Sequence, residues 1–410
     1  MTAPATSTHA PRGVACFNAG SSSIKFAVYA ERDGELVATG RGKIDAGGDV
    51  PHLLAFDADG TTVQDTTLPR GAGYGAQLGA VVDWVESHLA PARLAAIGHR
   101  VVHGGNAHAG PSLVTPALLA ELAELNPLAP LHQPHNLAAI GTMAHLHPGL
   151  PQVACFDTAF HLGNPRIARL YGLPRALADE GMMRYGFHGL SYEHIAATLP
   201  ALEPRAAGRV VAAHLGSGAS MCAMVEGRSV ATTMGFSALD GLPMATRCGN
   251  LDPGLVLHLL RNRHLTPDAL EHMLYHDSGL LGLSGTSGDM RALLANPDAA
   301  AREAVDVFVY RVARELGSLA AAAGGLDVLV FTGGIGEHAA EIRARVCAQA
   351  AWLGVRLDPA ANAAGGPRLH AADSAVAVWA LPADEEAVIA RATRAVADAA
   401  AAAARSTVRG

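Results

Sequence analysis

The chain has 410 residues, half of them hydrophobic, and a formal charge of −7 from 30 Lys and Arg against 37 Asp and Glu. This length predicts two domains, and an acidic balance without a basic stripe excludes nucleic acid as an expected partner. Five cysteines without CxxC spacing argue against a disulfide framework and are typical of a reduced, cytoplasmic protein. No apolar run reaches the roughly 18 residues of a membrane span, so no membrane partner is expected.

Strand and helix patterns alternate along the first part of the chain. The sequence predicts a flexible tail over 1–13, strands over 14–18, 24–30 and 36–44, a helix over 76–89, and strands over 96–102 and 152–157. Three strands followed by a helix and βα units predict a mixed sheet with helices on its faces. The last strand carries Asp157 at its carboxyl end.

Two glycine- and serine-rich turns each lie between apolar runs. They are Asn18-Ala19-Gly20-Ser21-Ser22-Ser23-Ile24-Lys25 and His214-Leu215-Gly216-Ser217-Gly218-Ala219-Ser220. Glycine lets the backbone approach a ligand closely, and main-chain N–H groups and serine hydroxyls donate hydrogen bonds to phosphate. Two such β-hairpins predict a nucleotide bound between two related domains.

The second half repeats the plan of the first. It is predicted to contain the hairpin over 209–233, helices over 253–262 and 300–323, a buried strand over 327–331 and an Ala-rich helix over 395–404. The buried strand runs into Thr332-Gly333-Gly334-Ile335-Gly336-Glu337-His338 and then a helix. A glycine turn before a helix N-terminus can receive a ligand, which predicts a further nucleotide-binding loop.

Five segments at strand ends combine Gly, Pro or Ser with charged or imidazole groups. They are Gly98-His99-Arg100-Val101-Val102-His103-Gly104-Gly105, Pro130-Leu131-His132-Gln133-Pro134-His135-Asn136, Phe156-Asp157-Thr158-Ala159-Phe160-His161, Arg184-Tyr185-Gly186-Phe187-His188-Gly189 and Gly241-Leu242-Pro243-Met244-Ala245-Thr246-Arg247-Cys248-Gly249. Phosphoryl transfer depends mainly on positioning and on neutralising charge. Arginines, histidines and one strand-end aspartate suit that chemistry.

Simpler interpretations apply to single residues. Most of the 20 histidines are expected to be structural, and each glycine-rich turn alone is also consistent with an ordinary tight turn. His132 and His135 have the spacing of a metal pair, but Pro134 is expected to break the helix that would place both on one face, so zinc is not favoured. The occurrence of all five segments in one chain favours a phosphoryl-transfer site.

Together these motifs resemble those of acetate kinases and related short-chain carboxylate kinases. The similarity covers about residues 14–392 through N-A-G-S-S-S-x-K, G-H-R-V-V-H-G-G, F-D-T-A-F-H, R-Y-G-F-H-G and F-T-G-G-I-G-E. It implies an α/β protein with the duplicated actin-like (ribonuclease H-like) fold, a mixed sheet flanked by helices in each domain, and an active site in the interdomain cleft. It also implies domain boundaries: 14–159 plus 384–410 for the first hairpin, acyl contacts and C-terminal helix, and 160–383 for the second hairpin, adenosine loop and dimerisation.

The resemblance implies reversible in-line transfer of the γ-phosphoryl group of ATP to acetate, giving acetyl phosphate and ADP. It further implies Mg²⁺, with Mn²⁺ as a substitute, small-molecule substrates that extend to propionate, a cytoplasmic location and a homodimer. An amide oxygen and a carboxylate beside ATP oxygens suit Mg²⁺. Because a carboxylate nucleophile is already ionised near neutral pH, Asp157 is expected to orient the arginines rather than to accept a proton.

Residue roles are carried over from the same resemblance. The metal ligands are Asn18 and Glu385, and the catalytic residues are Asp157, Arg247 and His188. The substrate-binding residues are Arg100, Val102, Leu131, His132, Phe187 and Ala238. The ATP-binding residues are Ser21, Ser23, Lys25, His214, Leu215, Gly216, Ser217, Gly218, Asp289, Met290, Arg291, Gly334, Ile335, Gly336, Glu337 and His338.

Several positions depart from the family pattern. Ser217 and His338 each stand where the family has Asn, and Cys248-Gly249-Asn250 replaces Ser-Gly-Asp. Ser217 is expected to weaken a phosphate contact that the backbone still provides. Ala238 replaces a proline of the acyl pocket, and burying one methylene is worth about 0.8 kcal/mol, so propionate is expected to be used within about tenfold of acetate.

Two alternatives stay open. One is a kinase that prefers propionate or butyrate, and the other, from a different class, is an actin-like ATPase switch that hydrolyses ATP to bind a partner. Such a switch has no need of a set like Arg100, Arg247, His188 and Asp157, which favours the kinase. Relatives that use pyrophosphate are disfavoured by the glycine-rich adenosine segment.

Overall fold

In the computed structural model the chain folds as two compact units, here called the first unit (Met1–Ala159 with Asp384–Gly410) and the second unit (Phe160–Ala383). The structure describes residues 12–20, 23–45, 50–130 and 132–408. Most of the predicted tail, 1–11, lies outside the described residues. The first strand already begins at Arg12, earlier than expected, because Arg12 pairs with Arg93 of a neighbouring strand and forms an ion pair with Asp398 at 2.5 Å.

The elements of the first unit follow the predicted order with three additional strands. They are β1 Arg12–Ala19, β2 Ser23–Arg32, β3 Glu35–Asp45, β4 His52–Asp57, β5 Thr62–Thr67, α1 Tyr74–Leu89, β6 Arg93–Val101, β7 Ser112–Leu113, α2 Pro116–Ala123, α3 Gln133–Leu146, β8 Gln152–Phe156 and, from the end of the chain, α15 Glu385–Val408, with a 3₁₀ turn at Asn126–Leu128. Strands β4, β5 and β7 were not predicted. Strand β5 is polar and mostly exposed, β7 has only two residues, and the apolar residues of β4, Leu53 to Phe56, form a run too short to distinguish a strand from a helix by its period.

Within the described residues the first unit contains a mixed sheet in the order β5-β4-β3-β2-β1-β6-β8-β7. Strands β1 to β5 form an antiparallel meander, whereas β6 is parallel to both β1 and β8. The carboxyl ends of β1, β6 and β8 therefore lie along one edge of the sheet. This edge carries Asn18, Arg100 and Asp157.

Helices cover both faces of this sheet. Helix α1 contributes Leu78, Val81 and Trp84 to a core with Phe26 of β2. Helix α15 packs against β1, β6 and β8, and it comes closest at Gly98, where a Cβ would lie 2.2 Å from Oγ1 of Thr393 and 2.4 Å from Cγ2 of Ile389. Glycine is required there because a side chain would collide with the helix.

The second unit contains more helices than the first, and most of them are short, although α11 has 25 residues. Its elements are α4 Arg166–Arg169, α5 Arg175–Asp179, α6 Gly189–Thr198, β9 Arg209–Leu215, β10 Ala219–Val225, β11 Arg228–Thr232, α7 Pro253–Asn262, α8 Pro267–His276, α9 Gly279–Ser284, α10 Met290–Ala295, α11 Ala299–Ala323, β12 Val328–Thr332, α12 Gly333–His338, α13 Ala340–Gln349, α14 Pro359–Ala363 and β13 Ala377–Ala380. Single 3₁₀ turns lie at Ala159–His161, Leu199–Ala201, Pro204–Ala207 and Ala351–Leu353.

The second sheet has the order β11-β10-β9-β12-β13. Its pairings are antiparallel for β11-β10-β9 and parallel for β9-β12-β13, the same sequence of pairings as β3-β2-β1-β6-β8 in the first unit. Strand β12 is buried at every position, as expected for a parallel strand covered on both faces. The repeated topology confirms the predicted α/β class with two mixed sheets. No described helix is both long and apolar enough to cross a membrane.

Candidate active site

Arg100 and Asp157 lie side by side at the carboxyl ends of the parallel strands β6 and β8. Nε of Arg100 lies 3.0 and 3.1 Å from the two carboxylate oxygens of Asp157, and Nη2 donates to Oδ2 at 2.6 Å. The side chains are only 18% and 2% exposed. Burial opposes the charge of Arg100, but the carboxylates of Asp157 and Glu385 outweigh it and keep the pKa of Arg100 above its ordinary value. Arg100 is therefore a fixed cation near the carboxyl end of β6.

The predicted metal ligands lie around the same guanidinium. Nη1 of Arg100 donates to Oδ1 of Asn18 at 3.2 Å, and Nε lies 3.7 Å from a carboxylate oxygen of Glu385, the first residue of α15. Among the described residues, no group of three or more His, Cys, Asp or Glu could hold a metal. One amide oxygen and one carboxylate nevertheless fit Mg²⁺, which usually binds few protein oxygens and completes its shell with water and substrate phosphate.

The first hairpin joins β1 to β2 as predicted. The amide of Gly20 donates to the carbonyl of Ser23 at 2.9 Å, and Lys25 is the cross-strand partner of Asn18. Directly opposed residues share a face of the sheet, so Lys25, which is exposed, lies on the same face as Asn18. Ser21 lies outside the described residues.

Two polar side chains of α3 support this edge and were not assigned a role from the sequence. Asn136 accepts from the amide of Val102 at 3.0 Å and donates to the carbonyl of Ala19 at 2.7 Å, so it links the end of β6 to the first hairpin. Gln133 accepts from the amide of His103 and donates to its carbonyl. Both residues belong to the Pro130–Asn136 motif, which was the available signal.

Pro134 does not break a helix, so the reason given for disfavouring a metal pair at His132 and His135 was wrong. Pro134 lies in the first turn of α3, where a missing N–H is tolerated, and the helix continues through it. His132 is the N-cap residue of that helix, outside its first turn, and His135 lies within it. Leu131, predicted to contact the acyl group, lies outside the described residues.

In the second unit, His188 and His214 are brought together. Their rings stack with centroids 4.3 Å apart and an interplanar angle of 20°. His188 precedes α6 with a left-handed φ of 59°, a strained conformation for this residue type. The carbonyl of the preceding Phe187 is fixed by Nε2 of His161, which lies 3.0 Å away. Burial lowers the pKa of His161 to about 4, so this ring is neutral.

The turn of the second hairpin lies against Arg247. The amide of Gly216 donates to the carbonyl of Gly218, and the amide of Ala245 donates to the carbonyl of Ser217, both at 3.0 Å. A Cβ on Gly218 would lie 2.8 Å from Nη2 of Arg247 and 3.3 Å from Nε2 of His188. The absence of a side chain at Gly218 therefore lets both donors face one turn.

The residues predicted around Arg247 have defined contacts within the second unit. Nη1 of Arg247 donates to the carbonyl of Ala238 at 2.9 Å, so this position is tied to the arginine through its backbone. Phe187 is buried and Leu215 ends β9, while Val102, predicted for the same acyl pocket, is a buried residue of the first unit.

The residues predicted to bind adenosine lie at the N-terminus of α10 and in the short helix α12. Asp289 caps α10 by accepting from the amide of Arg291 at 2.8 Å, and its carboxylate pairs with the Arg291 side chain at 3.0 Å. That pairing lowers the pKa of Asp289. Met290 between them is buried. Asp289 and Arg291 are thus already partners of each other on an exposed surface.

The predicted adenosine loop is a helix. Residues Gly334 to His338, with Ile335, Gly336 and Glu337 between them, form α12 directly after β12 rather than an open glycine turn. Buried Arg343 explains this conformation, because its guanidinium donates to the carbonyls of Gly336 and Glu337 at 2.9 and 2.7 Å. Arg343 was missed because its partners are backbone carbonyls and the side chain of Asn362, 19 positions away, which leave no pattern in the sequence.

Comparison with known proteins decides the family. The model of the acetokinase family matches residues 14–391. The chain belongs to the acetokinase family. It is 58% identical over 381 residues to an acetate kinase of Rhodopseudomonas palustris, covering 91% of this chain and 96% of that protein.

Solved structures of the family have the same fold. A propionate kinase from Francisella tularensis superposes with a TM-score of 0.87 at 31% identity, covering 95% of this chain and all of that one. An acetate kinase from Porphyromonas gingivalis has a TM-score of 0.81, also at 31% identity, covering 95% of this chain and 100% of that one. The predicted family and fold class are confirmed.

Proposed function

We propose that this chain is an acetate kinase, a phosphotransferase with a carboxyl group as acceptor. It moves the γ-phosphoryl group of ATP to acetate and gives acetyl phosphate and ADP, reversibly. Membership of the acetokinase family and similarity to acetate kinases support the assignment. The observation that carries it is the partly buried Arg100, fixed by Asp157 and adjacent to two candidate metal ligands.

Arg100 is the group that binds the carboxylate substrate. Its hydrogen bonds to Asp157 and Asn18 use one N–H on each of its three nitrogens, out of five in all. One N–H remains on each Nη atom for the two oxygens of a carboxylate. Asp157 keeps the guanidinium in this orientation, and no proton acceptor is needed because acetate is ionised near neutral pH.

Asn18 and Glu385 are the residues that hold Mg²⁺. When bound, the metal neutralises charge on the phosphates of ATP. Lys25 and Ser23 lie on β2 of the first hairpin, and together with Ser21 they provide further donors to phosphate. The requirement is checked by chelation, since removing divalent metal is expected to abolish acyl phosphate formation and adding Mg²⁺ or Mn²⁺ is expected to restore it.

The second unit supplies donors for the phosphoryl group. Arg247 and His188 face the turn at Gly218, and a cation and a ring N–H there stabilise the charge of the transition state. The hairpin residues His214 to Gly218 bind the β- and γ-phosphates. Asp289, Met290 and Arg291 bind adenosine together with α12.

A colorimetric hydroxamate assay with ATP, Mg²⁺ and acetate, propionate or butyrate tests the proposal. Acetyl hydroxamate is the expected product. ATP hydrolysis without any acyl hydroxamate would contradict the proposal and favour the ATPase switch.

A second candidate is a kinase that uses propionate comparably to acetate, which Ala238 and the similarity to a propionate kinase structure support. Comparing kcat/KM across the three acids decides it. We expect propionate within about tenfold of acetate, because a pocket discriminates one methylene weakly, and a much larger bias toward acetate would exclude this candidate.

We also propose a cytoplasmic homodimer. All five cysteines are free thiols, which suits a reducing compartment. Light scattering during size-exclusion chromatography measures the mass in solution, and a monomer at micromolar concentration would contradict the dimer.

A further inference from the structure

The two stacked imidazoles of the second unit present the same ring edge to the second hairpin. Nε2 of His188 lies 3.3 Å from the position of a Cβ on Gly218, and Nε2 of His214 lies 3.9 Å from that on Gly216. The opposite nitrogens, Nδ1, therefore point away from the turn. The groups that contact these Nδ1 atoms determine which nitrogen carries the proton.

Hydroxyl groups contact both Nδ1 atoms. Oγ of Ser191 lies 2.9 Å from Nδ1 of His214, and Oγ of Ser220 lies 2.8 Å from Nδ1 of His188. The phenol oxygen of Tyr192 lies 2.5 Å from Oγ of Ser220. All three hydroxyl residues are fully buried, and Ser191 and Tyr192 are neighbours in the first turn of α6.

We infer that Ser191, Tyr192 and Ser220 are positioning residues for phosphoryl transfer. They hold His188 and His214 in the tautomer with the proton on Nε2, so that both rings present an N–H to the phosphate turn. The inference rests on the proposed function for its kinetic consequence. The tautomers themselves are a property of the free protein.

The acidity of the hydroxyl groups determines which group donates in each of these hydrogen bonds. A phenol is a stronger acid than an aliphatic alcohol, so Tyr192 donates to Ser220, and Ser220 then donates its own proton to Nδ1 of His188. Ser191 donates directly to Nδ1 of His214. An imidazole that accepts at Nδ1 is neutral and carries its hydrogen on Nε2.

A neighbouring histidine shows the same arrangement. Nε2 of His161 faces the carbonyl of Phe187, so it must be the donor, and Nδ1 accepts from Ser229 at 2.8 Å. Ser229 in turn accepts from the thiol of Cys222 at 3.3 Å. In both cases a serine lies between a donor and the Nδ1 atom of the histidine: Cys222 is the donor beside His161, and Tyr192 is the donor beside His188.

Ring stacking favours neutral rings as well. Two imidazolium ions with centroids 4.3 Å apart would repel each other. A neutral ring that carries N–H on Nε2 still donates to a phosphoryl oxygen, and Arg247 supplies the positive charge beside it.

Nitrogen-15 NMR of labelled histidine in the free protein tests the tautomers directly. At about pH 7 we expect His188 and His214 to show a protonated Nε2 and an unprotonated Nδ1, with signals assigned by their loss in His188→Gln and His214→Gln. Protonation of Nδ1 in either ring would overturn the inference for that ring. This result does not depend on catalysis, so failure of the proposed function is distinguishable from failure of the inference.

Kinetics test the positioning role. Ser220→Ala and Tyr192→Phe are each expected to lower kcat about fivefold to tenfold, the effect of losing one hydrogen bond, with KM for acetate unchanged because Arg100 binds the carboxylate. The double variant should lose no more than Ser220→Ala alone, since both act through one chain. Ser374→Ala, which removes another buried serine hydroxyl, should keep wild-type kcat. Wild-type kcat and an unchanged His188 tautomer in both Ser220→Ala and Tyr192→Phe would overturn the proposal.

Discussion

At the residue scale, Arg100 connects three elements that are remote in the chain. Its guanidinium contacts Asn18 on β1, Asp157 after β8 and Glu385 at the start of α15. Asp157 is almost fully buried, so its ion pair with the arginine stabilises its charge at a site shielded from water. The same group therefore serves both the stability of the first unit and the proposed binding of substrate.

Replacing Arg100 should affect activity and stability together. For Arg100→Ala we expect kcat to fall at least about 100-fold and the free energy of unfolding to fall by about 3 kcal/mol, because a buried carboxylate loses its partner. Acyl phosphate formation and urea denaturation measure the two effects. Arg356→Ala, which breaks an exposed pair with Asp373, should change stability by less than about 1 kcal/mol. Near-normal turnover in Arg100→Ala would contradict the assigned role.

Gly218 offers a test that separates activity from stability. In Gly218→Ala the new methyl group would push against Nη2 of Arg247, the mobile end of a long side chain. A displacement of this size can cost about 100-fold in rate, so we expect kcat to fall at least about tenfold at an unchanged melting temperature. Gly163→Ala, where a Cβ meets nothing within 4 Å, is the control. Full activity in Gly218→Ala would show that the turn tolerates a side chain.

At the element scale, the contact of α15 with β6 joins the end of the chain to the first sheet. The helix reaches the strand where Gly98 lacks a side chain, opposite Thr393 and Ile389. Glu385 is placed at the sheet edge because α15 begins there and packs along β1, β6 and β8. The packing of this helix therefore fixes one of the two candidate metal ligands.

Two glycine-to-alanine substitutions in the first unit should have opposite effects. Gly98→Ala overpacks the helix contact and should lower the free energy of unfolding by about 1–3 kcal/mol. Gly79→Ala, in the middle of α1 with no atom near the new methyl group, should raise it by about 0.5–1 kcal/mol. Urea denaturation of both variants checks the pair, and a stable Gly98→Ala protein would show that α15 can move away from β6.

Elements with a strong apolar period could be predicted from the sequence, and elements without one could not. The helix predicted over 300–323 is observed at Ala299–Ala323, and both hairpins form as expected. Strand β5 is a polar edge strand that pairs with β4, and β4 pairs with β3, so sheet pairing rather than an apolar period identifies these two strands. The short helix α12 depends on a hydrogen bond from Arg343, a residue of the following helix α13.

Some residues of the candidate site could likewise be predicted from the sequence, and others could not. Arg100 and Asp157 could be predicted to lie together because parallel strands end at one edge of the sheet. Asn136, Tyr192 and Ser220 could not be given a role, because each acts through a partner that is distant in the chain.

At the scale of the whole molecule, three buried histidines link stability to pH. Burial lowers the pKa values of His99, His103 and His161 to about 4, below the value of 6.5 for an exposed histidine. Between about pH 6.5 and pH 4 these histidines are therefore protonated in the unfolded chain but remain neutral in the folded one. Their contribution to stability is complete above about pH 6.5 and is lost as the pH falls toward 4.

When the pH falls from 7 to 5, we expect protonation of each of these histidines in the unfolded chain to lower the free energy of unfolding by about 2 kcal/mol. His99→Gln cannot be protonated, so its loss between these two pH values should be smaller than that of the wild type by about this amount. Urea denaturation at both pH values measures the difference. Equal losses in the two proteins would mean that His99 is not buried as a neutral group.

The path of the substrate's oxygen atoms tests the proposed phosphoryl transfer itself. If the carboxylate attacks the γ-phosphorus of ATP, acetate labelled with oxygen-18 in its carboxylate must give acetyl phosphate with the label in the bridging oxygen, which phosphorus NMR detects as an isotope shift. We predict this labelled acetyl phosphate, formed together with ADP. Orthophosphate and ADP without acetyl phosphate would contradict the account.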